Sequence, residues 1–273
     1  MTDVNGNITI TTLVENLVYG KGLQGEHGLS LLVEVGERKV LFDTGASDLF
    51  IRNARLMGID LREVDYLVLS HGHRDHTGGL HHFLKLNDRA QVVCKREVLH
   101  PKYKDERENG LMHPEALDLS RFRFVEQTEE ILPGVFVFPH LPVADEADTH
   151  FEHFYTQVDE QKLPDRFDDE LALALKRDRD LAVLSACSHR GITNILRAVL
   201  EMFPGARLRL VWGGFHIRTA GADKNRVITR YLAHHMPQRL GVCHCTGIDQ
   251  YVLFHQSFAD QLFYGHTGWV ETF

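Results

Sequence analysis

The sequence predicts an α/β protein in which two β-sheets pack against each other between two outer layers of helices. Strand and helix patterns alternate along most of the chain, which indicates sheets covered by helices. Residues 66–80 (YLVLSHGHRDHTGGL) and 181–196 (LAVLSACSHRGITNIL) share one pattern: an apolar strand ending in Val-Leu-Ser, a histidine loop with glycine, and a helix. Two such halves, each a sheet with helices on one face, predict four layers.

The first half of the chain contains a regular series of predicted elements. A helix is expected from Ser47, because Ser47 and Asp48 are suitable capping residues and Gly58 ends the apolar pattern. Before this helix, the β-type segment 29–45 contains the sequence VGERKV, which predicts a hairpin turn between two strands. In order, we predict strands at 7–16 and 29–45, a helix at 47–58, a strand at 64–70, a helix at 78–86 and a strand at 90–95.

The second half repeats this alternation after a weakly patterned segment. Residues 95–166 are mostly polar and charged around one apolar stretch, which predicts an insertion or lid over one sheet edge, within a single domain of 1–273. The clearest helix is 190–205, because its apolar residues recur at helical spacing and Pro204-Gly205 ends it. In order, we predict strands at 170–176 and 180–189, a helix at 190–205, a strand at 208–216, a helix at 223–236, a strand at 239–247, a helix at 249–262 and a strand at 269–273.

Composition excludes several classes of protein. The formal net charge of -8 leaves no basic stripe for nucleic acid, and the apolar runs are too short to cross a bilayer. The N-terminal residues lack the basic and apolar regions of a secretory signal, so we expect a cytoplasmic protein. The four cysteines are too few for a disulfide framework, so we interpret them as thiols.

Residues 70–80 crowd metal-binding side chains into one loop. Alternate residues of an extended segment point the same way, so the imidazoles of His71 and His73 can converge on one ion. Asp75 and His76 follow at once, and Gly78-Gly79 would let the backbone turn sharply into the next helix. A shared divalent cation explains why neutral imidazoles and a carboxylate gather here.

The sequence HGHRDH matches the His-x-His-x-Asp-His motif, and the chain therefore resembles the metallo-β-lactamase superfamily. LFDTG, ACSHRG and GVCHCTG resemble further motifs of that superfamily. GEHGLSLLVE, DDELAL and WGGFHI look like the subgroup named for dihydropterin-ribofuranosyl-aminobenzene 5'-phosphate synthase. The resemblance implies a four-layer αββα sandwich of two mixed sheets with outer helices.

The resemblance also implies two divalent metal ions, with zinc expected and manganese or iron as alternatives. One ion would be held by His71, His73 and His189. The other would be held by Asp75, His76 and His244, with Asp75 also orienting the nucleophile.

Other residues are given supporting roles by the same resemblance or by their position. Asp43 would accept a ring N–H from a ligand, and Glu26 and His27 could face the site from the first hairpin. Many superfamily members have a bridging aspartate where this chain reads LVWGGFHI. The bridge would then be a hydroxide alone, the second site would be weak, or His216 would take the place as an extra ligand or a substrate-facing acid.

Cys243 and Cys245 flank His244 in the predicted strand at 239–247. Strand alternation would turn both thiols away from His244, which favours small buried side chains over metal ligands.

These features predict a hydrolase that uses a metal-bound hydroxide on a phosphorylated or otherwise anionic small-molecule ester. Three other functions stay open: a mononuclear iron persulfide dioxygenase, a synthase-like transferase, and a metal-dependent sensor without catalysis. The expected partner is a small molecule. The oligomeric state is not predicted.

Overall fold

Eighteen strands and six α-helices form the described part, residues 7–273, of the computed structural model. The strands are β1 Ile8–Val14, β2 Ser30–Val35, β3 Arg38–Phe42, β4 Tyr66–Val68, β5 Gln91–Cys94, β6 Lys102–Lys104, β7 Arg107–Glu108, β8 Phe122–Phe124, β9 Glu129–Leu132, β10 Val135–Phe138, β11 Phe154–Val158, β12 Gln161–Pro164, β13 Ala172–Arg177, β14 Asp180–Ser185, β15 Arg207–Gly213, β16 Arg239–Val242, β17 Leu262–Tyr264 and β18 Val270–Thr272. The helices are α1 Leu49–Leu56, α2 Arg74–Thr77, α3 Leu80–Leu86, α4 Ile192–Met202, α5 Ala222–His235 and α6 Ile248–Phe258.

Two large mixed sheets organise the molecule. The first has the order β18-β1-β2-β3-β4-β5-β8, and the second has the order β17-β16-β15-β14-β13-β10-β9. Each sheet is antiparallel on one side and parallel on the other, as β1–β2 against β3–β4 and β13–β14 against β14–β15 illustrate. Four short strands, in the order β12-β11-β6-β7, form a separate small sheet.

The main core lies between the two large sheets. Phe42 of β3 and Leu184 of β14 belong to one buried apolar cluster that draws on both sheets, together with Trp212. The outer faces are covered by helices, with α1 and α3 on the first sheet and α4, α5 and α6 on the second. The predicted arrangement of four layers is therefore confirmed. No helix among residues 7–273 is long and apolar enough to span a bilayer.

One predicted helix near the C-terminus ends earlier in the structure. The helix predicted at 249–262 ends at Phe258, and Leu262–Tyr264 form β17 instead. Leu262 and Phe263 are buried, and β17 pairs in parallel with β16. Sheet pairing therefore overrides the helical pattern at its last residues. The last predicted strand is present as β18, which pairs with β1 at the edge of the first sheet.

The segment 95–166 is less uniform than the predicted insertion. Its strand β8 extends the first large sheet, while β9 and β10 extend the second. The strands of the small sheet come before β8 and after β10 in the chain. Fewer residues of this segment therefore lie outside the two large sheets than the sequence indicated. Charged residues such as Arg123, Glu129 and Glu130 interrupt the apolar pattern of the short strands. The sequence therefore does not reveal that these strands belong to the large sheets. That residues 95–166 act as an insertion or lid stays a prediction.

The topology brings several chain segments to one edge of the sandwich. Strands β3 and β4 run in parallel in the first sheet, and β14, β15 and β16 run in parallel in the second. Their carboxyl ends lead into the segments that contain Asp43, His71, His189, His216 and His244. Parallel strands end at the same edge of a sheet, so distant histidines come close together.

Candidate metal centre

The loop that follows β4 is extended at its start and helical at its end. His73 is extended, and the short helix α2 begins directly after it, so Asp75 and His76 lie within a helical turn. Gly78 (φ -62°, ψ -28°) and Gly79 (φ -85°, ψ -4°) have the angles of a type I turn between α2 and α3, so the turn itself does not require glycine. These positions are glycine for another reason. A Cβ would lie 2.2 Å from the Ala46 carbonyl oxygen at Gly78 and 2.3 Å from the Thr44 carbonyl oxygen at Gly79.

His71, His73 and His189 form the first donor group. Their ring centroids are 4.7 Å apart for His71–His73, 5.0 Å for His73–His189 and 5.1 Å for His71–His189. All three side chains are buried, and within the described part of the chain none of their Nε2 atoms has a hydrogen-bond partner. Burying a ring nitrogen without a hydrogen-bond partner costs free energy. Three such nitrogens that converge on one point are better explained as a site for a cation.

Asp75, His76 and His244 form the second donor group. The distances are 3.2 Å between the Nε2 atoms of His76 and His244, 3.3 Å from Asp75 Oδ2 to His244 Nε2, and 3.8 Å from Asp75 Oδ2 to His76 Nε2. Ligand atoms bonded at about 2.0–2.1 Å around a tetrahedral zinc ion lie about 3.3–3.4 Å from one another. The second group therefore also has the dimensions of a metal site.

Asp43 orients side chains of both donor groups through hydrogen bonds. Its Oδ2 accepts a hydrogen bond from His76 Nδ1 at 2.7 Å and another from the Ser70 hydroxyl at 2.6 Å. The Ser70 oxygen lies 2.8 Å from His71 Nδ1 and can accept its N–H. Because the Nδ1 atoms carry the protons, the Nε2 atoms of both rings present lone pairs to the cavity.

His189 and His244 are oriented in the same manner by other residues. The His150 carbonyl oxygen lies 3.3 Å from His189 Nδ1, and Asn16 Oδ1 lies 2.9 Å from His244 Nδ1. Glu15, which is fully buried, accepts the backbone N–H of His244 at 2.5 Å. Sequence reasoning missed Glu15 and Asn16. Their one sequence signal was their place at the end of the first predicted strand, 7–16, and in the structure they follow β1, which ends at Val14.

Burial sets the protonation of the first donor group. It lowers the pKa of His73 to about 4 and lowers the pKa values of His71 and His189 well below the ordinary value. Burial also acts to lower the pKa of His76, but the charges of Asp75 and Asp43 outweigh it and raise that pKa. The first three imidazoles are therefore neutral at pH 7, the form that binds metal.

Two adjacent carboxylates hold the backbones of the two histidine loops. Asp169 Oδ2 accepts the N–H of Gly72 at 2.7 Å, between His71 and His73. Glu170 accepts the N–H of His189 at 2.7 Å through Oε1 and that of Arg190 at 2.8 Å through Oε2. Sequence reasoning assigned these carboxylates no role, although DDELAL places them directly before an apolar strand.

A buried ion cluster lies behind the first histidine loop. Lys102 Nζ is 2.9 Å from Asp165 Oδ2 and 3.0 Å from Asp169 Oδ1, and each of these side chains is at most 2% exposed. Lys102 thus neutralises Asp169, the carboxylate that accepts the N–H of Gly72. Phe167 completes this wall by stacking on the His189 ring at a centroid distance of 3.7 Å.

His27 and His216 border the donor groups, whereas Glu26 does not join them. His27 Nε2 lies 3.3 Å from Asp75 Oδ2, although the side chain is 64% exposed. The His216 ring lies 4.2 Å from the His189 ring, and burial lowers the pKa of His216 well below its ordinary value. His216 as an extra ligand or a substrate-facing acid stays a prediction. Glu26 instead binds the loop before α1, accepting from the backbone N–H groups of Ala46 and Ser47.

The cysteines are placed differently from the sequence expectation. Cys243 is buried in the core between the sheets, as predicted. Cys245 is also buried, but the prediction that it turns away from His244 is wrong, because β16 ends at Val242 and His244 has a φ of +52°, which breaks the strand alternation. Cys245 therefore lies close to His244 at the cavity. Cys187, which sequence reasoning left out of the site, lies among the histidines.

A cavity of about 370 Å³ opens above the two donor groups. Three cationic residues line it: Arg74 from α2, Lys104 from β6 and Arg218 from the segment after β15. Among the described lining residues, Asp75 is the one carboxylate. The volume suits a small molecule, and the cationic wall suits an anionic one.

The fold and the paired donor groups define a metallo-β-lactamase-type protein, and comparisons with known proteins agree. The model of the metallo-beta-lactamase superfamily matches residues 23–157. The solved structure of Tm1679, a metal-dependent hydrolase of the beta-lactamase superfamily, is 32% identical over 97% of this chain and 98% of its own, with a TM-score of 0.86. YhfI from Bacillus subtilis is 13% identical over 98% of this chain and 100% of its own, and its TM-score of 0.59 reflects a shared fold.

A curated relative comes from Methanocaldococcus jannaschii. It is named 7,8-dihydropterin-6-methyl-4-(beta-D-ribofuranosyl)-aminobenzene-5'-phosphate synthase and is 28% identical over 98% of this chain and 97% of its own length. This chain belongs to the metallo-β-lactamase superfamily, whose members generally bind divalent metal ions. The resemblance expected from the sequence motifs is confirmed.

Replacing Asp43 with asparagine is expected to weaken metal binding about 10–100-fold, as is typical when the partner of a metal-binding histidine is lost. The amide cannot accept from His76, Ser70 Oγ and the Ser70 backbone as the carboxylate does. Competition with a chromophoric chelator measures the change. Asp48→Asn is the matched control, because the Asp48 side chain is 45% exposed and pairs with Arg52. Equal affinities of Asp43→Asn and the unaltered protein would contradict the assigned role.

Proposed function

We propose that this protein is a metal-dependent hydrolase that acts on a phosphorylated or otherwise anionic small-molecule ester. The observation that carries the proposal is the convergence of two donor groups at the base of one cationic cavity. Three unpaired, buried Nε2 atoms and a second set of donors 3.2–3.8 Å apart suit a pair of divalent cations.

His71, His73 and His189 would hold one ion, and Asp75, His76 and His244 would hold the other. A divalent ion bound there supplies a Lewis acid that lowers the pKa of a coordinated water and polarises the bond to be cleaved. The protein's own contribution is to hold the ligand rings rigidly, through Asp43 and the carbonyl of His150.

The cavity wall supports an anionic substrate. Arg74, Lys104 and Arg218 line it, and buried Arg74 Nε has no hydrogen-bond partner within the described residues. Phe154 lies beneath Lys104, whose Nζ is 5.4 Å from the ring centroid. A guanidinium with an unused donor and an exposed ammonium group are suited to phosphate or carboxylate oxygens.

Metal depletion tests the proposal directly. Protein stripped with a chelator is expected to lose hydrolytic activity and to regain it with zinc or manganese, while elemental analysis counts about two ions per chain. Bis(p-nitrophenyl) phosphate and p-nitrophenyl acetate compare an anionic with a neutral ester of the same leaving group, and the anionic one is expected to be preferred. Full activity of metal-free protein would overturn the proposal, and one iron per chain would favour the dioxygenase.

The curated synthase relative supports a second candidate, a transferase acting on a phosphorylated aminobenzene compound. The cationic cavity suits the phosphate named in that relative's product. Turnover in water enriched in heavy oxygen separates the two. A hydrolase places the label in one product, whereas a transferase joins two organic substrates without taking oxygen from water.

A further inference from the structure

Among the described residues that line the cavity, Asp75 is the one carboxylate, and Cys187 lies near donors of both groups. Its donor atom is within 4.8 Å of those of His71 and His76 in one group, of His189 and His216 in another, and of His244 and Cys245 in a third. These groups include ligands expected for both ions. We propose that Cys187 is a thiolate ligand at the junction of the two metal positions, an inference that rests on the metal centre of the proposed function.

The contacts of Cys187 support this assignment. Its Sγ lies 3.2 Å from His76 Nε2, the ring nitrogen that faces the second metal position. A sulfur bonded at about 2.3 Å and a nitrogen at about 2.0–2.1 Å around one tetrahedral zinc ion lie about 3.5 Å apart. Only a small shift therefore separates the thiol–imidazole contact from joint coordination. The four unpaired buried nitrogens nearby, His71, His73 and His189 Nε2 and His216 Nδ1, point independently to a bound cation.

The neighbouring cysteine is held in another way. Cys245 Sγ accepts the backbone N–H of His216 at 3.2 Å and donates to the Cys187 carbonyl oxygen at 3.7 Å. These contacts tie Cys245 to the loops that frame the cavity. Cys187 Sγ, by contrast, is directed at a ring nitrogen that is itself a ligand candidate. Cys245 is thus the matched comparison for Cys187, because both thiols line the same cavity.

Coordination has a simple chemical balance. The S–H bond of Cys187 breaks, its electron pair forms the bond to the ion, and the proton passes to the buffer. A thiolate ligand favours zinc, cadmium or iron over manganese or magnesium, which prefer oxygen. The ligand class of the junction is therefore a soft or borderline divalent cation.

Cadmium titration of the stripped protein in oxygen-free buffer tests the proposal through thiolate-to-cadmium charge-transfer absorption. The absorption is expected to grow to saturation in the unaltered protein and in Cys245→Ser, and to be lost in Cys187→Ser. Persistence of the full absorption in Cys187→Ser would overturn the proposal.

A second measurement covers the case in which Cys187→Ser does not fold. X-ray absorption at the zinc edge of Cys245→Ser is expected to contain a sulfur neighbour at about 2.3 Å. A spectrum with nitrogen and oxygen neighbours alone, on protein loaded with two ions, would reject Cys187 as a ligand and leave the proposed hydrolase standing. Absence of bound metal by elemental analysis would overturn both proposals.

Discussion

Alanine at position 71 is expected to abolish turnover and to reduce the metal content of the protein together. His71 belongs to the first donor group, and its ring is also 4.4 Å from that of His76 in the second, so its loss affects both metal positions. The measurement pairs elemental analysis with assay of the anionic ester on the same preparation. Activity is expected to fall to the level of metal-free protein.

His82→Ala is the matched control, because His82 is an exposed histidine on α3, a few residues beyond the loop. It should keep its metal and its activity. Retention of full activity by His71→Ala, with unchanged metal content, would contradict the assignment of the first donor group.

Lys102→Met is expected to lower the free energy of unfolding by about 3–5 kcal/mol, the usual cost of removing one partner from a buried ion pair. Asp165 and Asp169 would face each other without a cation, in a site where they are at most 2% exposed. Denaturant unfolding of the chelator-treated protein measures the change without any contribution from bound metal.

Lys39→Met provides the comparison, since Lys39 pairs with Glu63, a residue whose side chain is 60% exposed. A surface pair contributes at most about 1 kcal/mol. Equal stability of Lys102→Met and Lys39→Met would show that the buried cluster is not needed for the fold. A double variant, Lys102→Met with Asp169→Asn, is expected to recover part of the loss.

The sequence predicts the layers and the gathering of the histidines because both depend on local patterns. Apolar strands end before His71, His189 and His244 and so place those residues at strand ends. The parallel pairing of the strands then brings these ends to the same edge of each sheet. The family motif adds the expectation of which donors would share an ion. Short edge strands such as β8 and β17 escape prediction, because three residues carry too little periodicity.

Residues outside regular structure are the least predictable part of the site. Asp43, His216 and His244 have left-handed φ angles of +62°, +52° and +52°. Tertiary contacts impose these conformations on non-glycine residues, and no local pattern announces them. This is why strand alternation fails for Cys245, and why Asn16 could not be foreseen as the partner of His244.

The hydrogen bond from the His244 backbone to Glu15 joins residues 229 positions apart. A chain emerging from the ribosome therefore exposes His71, His73 and Asp75 long before the partners that complete their pocket have been synthesised. Contacts between residues so far apart in the chain form slowly and cost conformational entropy. Before they form, the nascent chain contains only part of the donor set. A metal position that needs donors from both halves of the chain would therefore be complete only after His244 has been synthesised and has docked on Glu15.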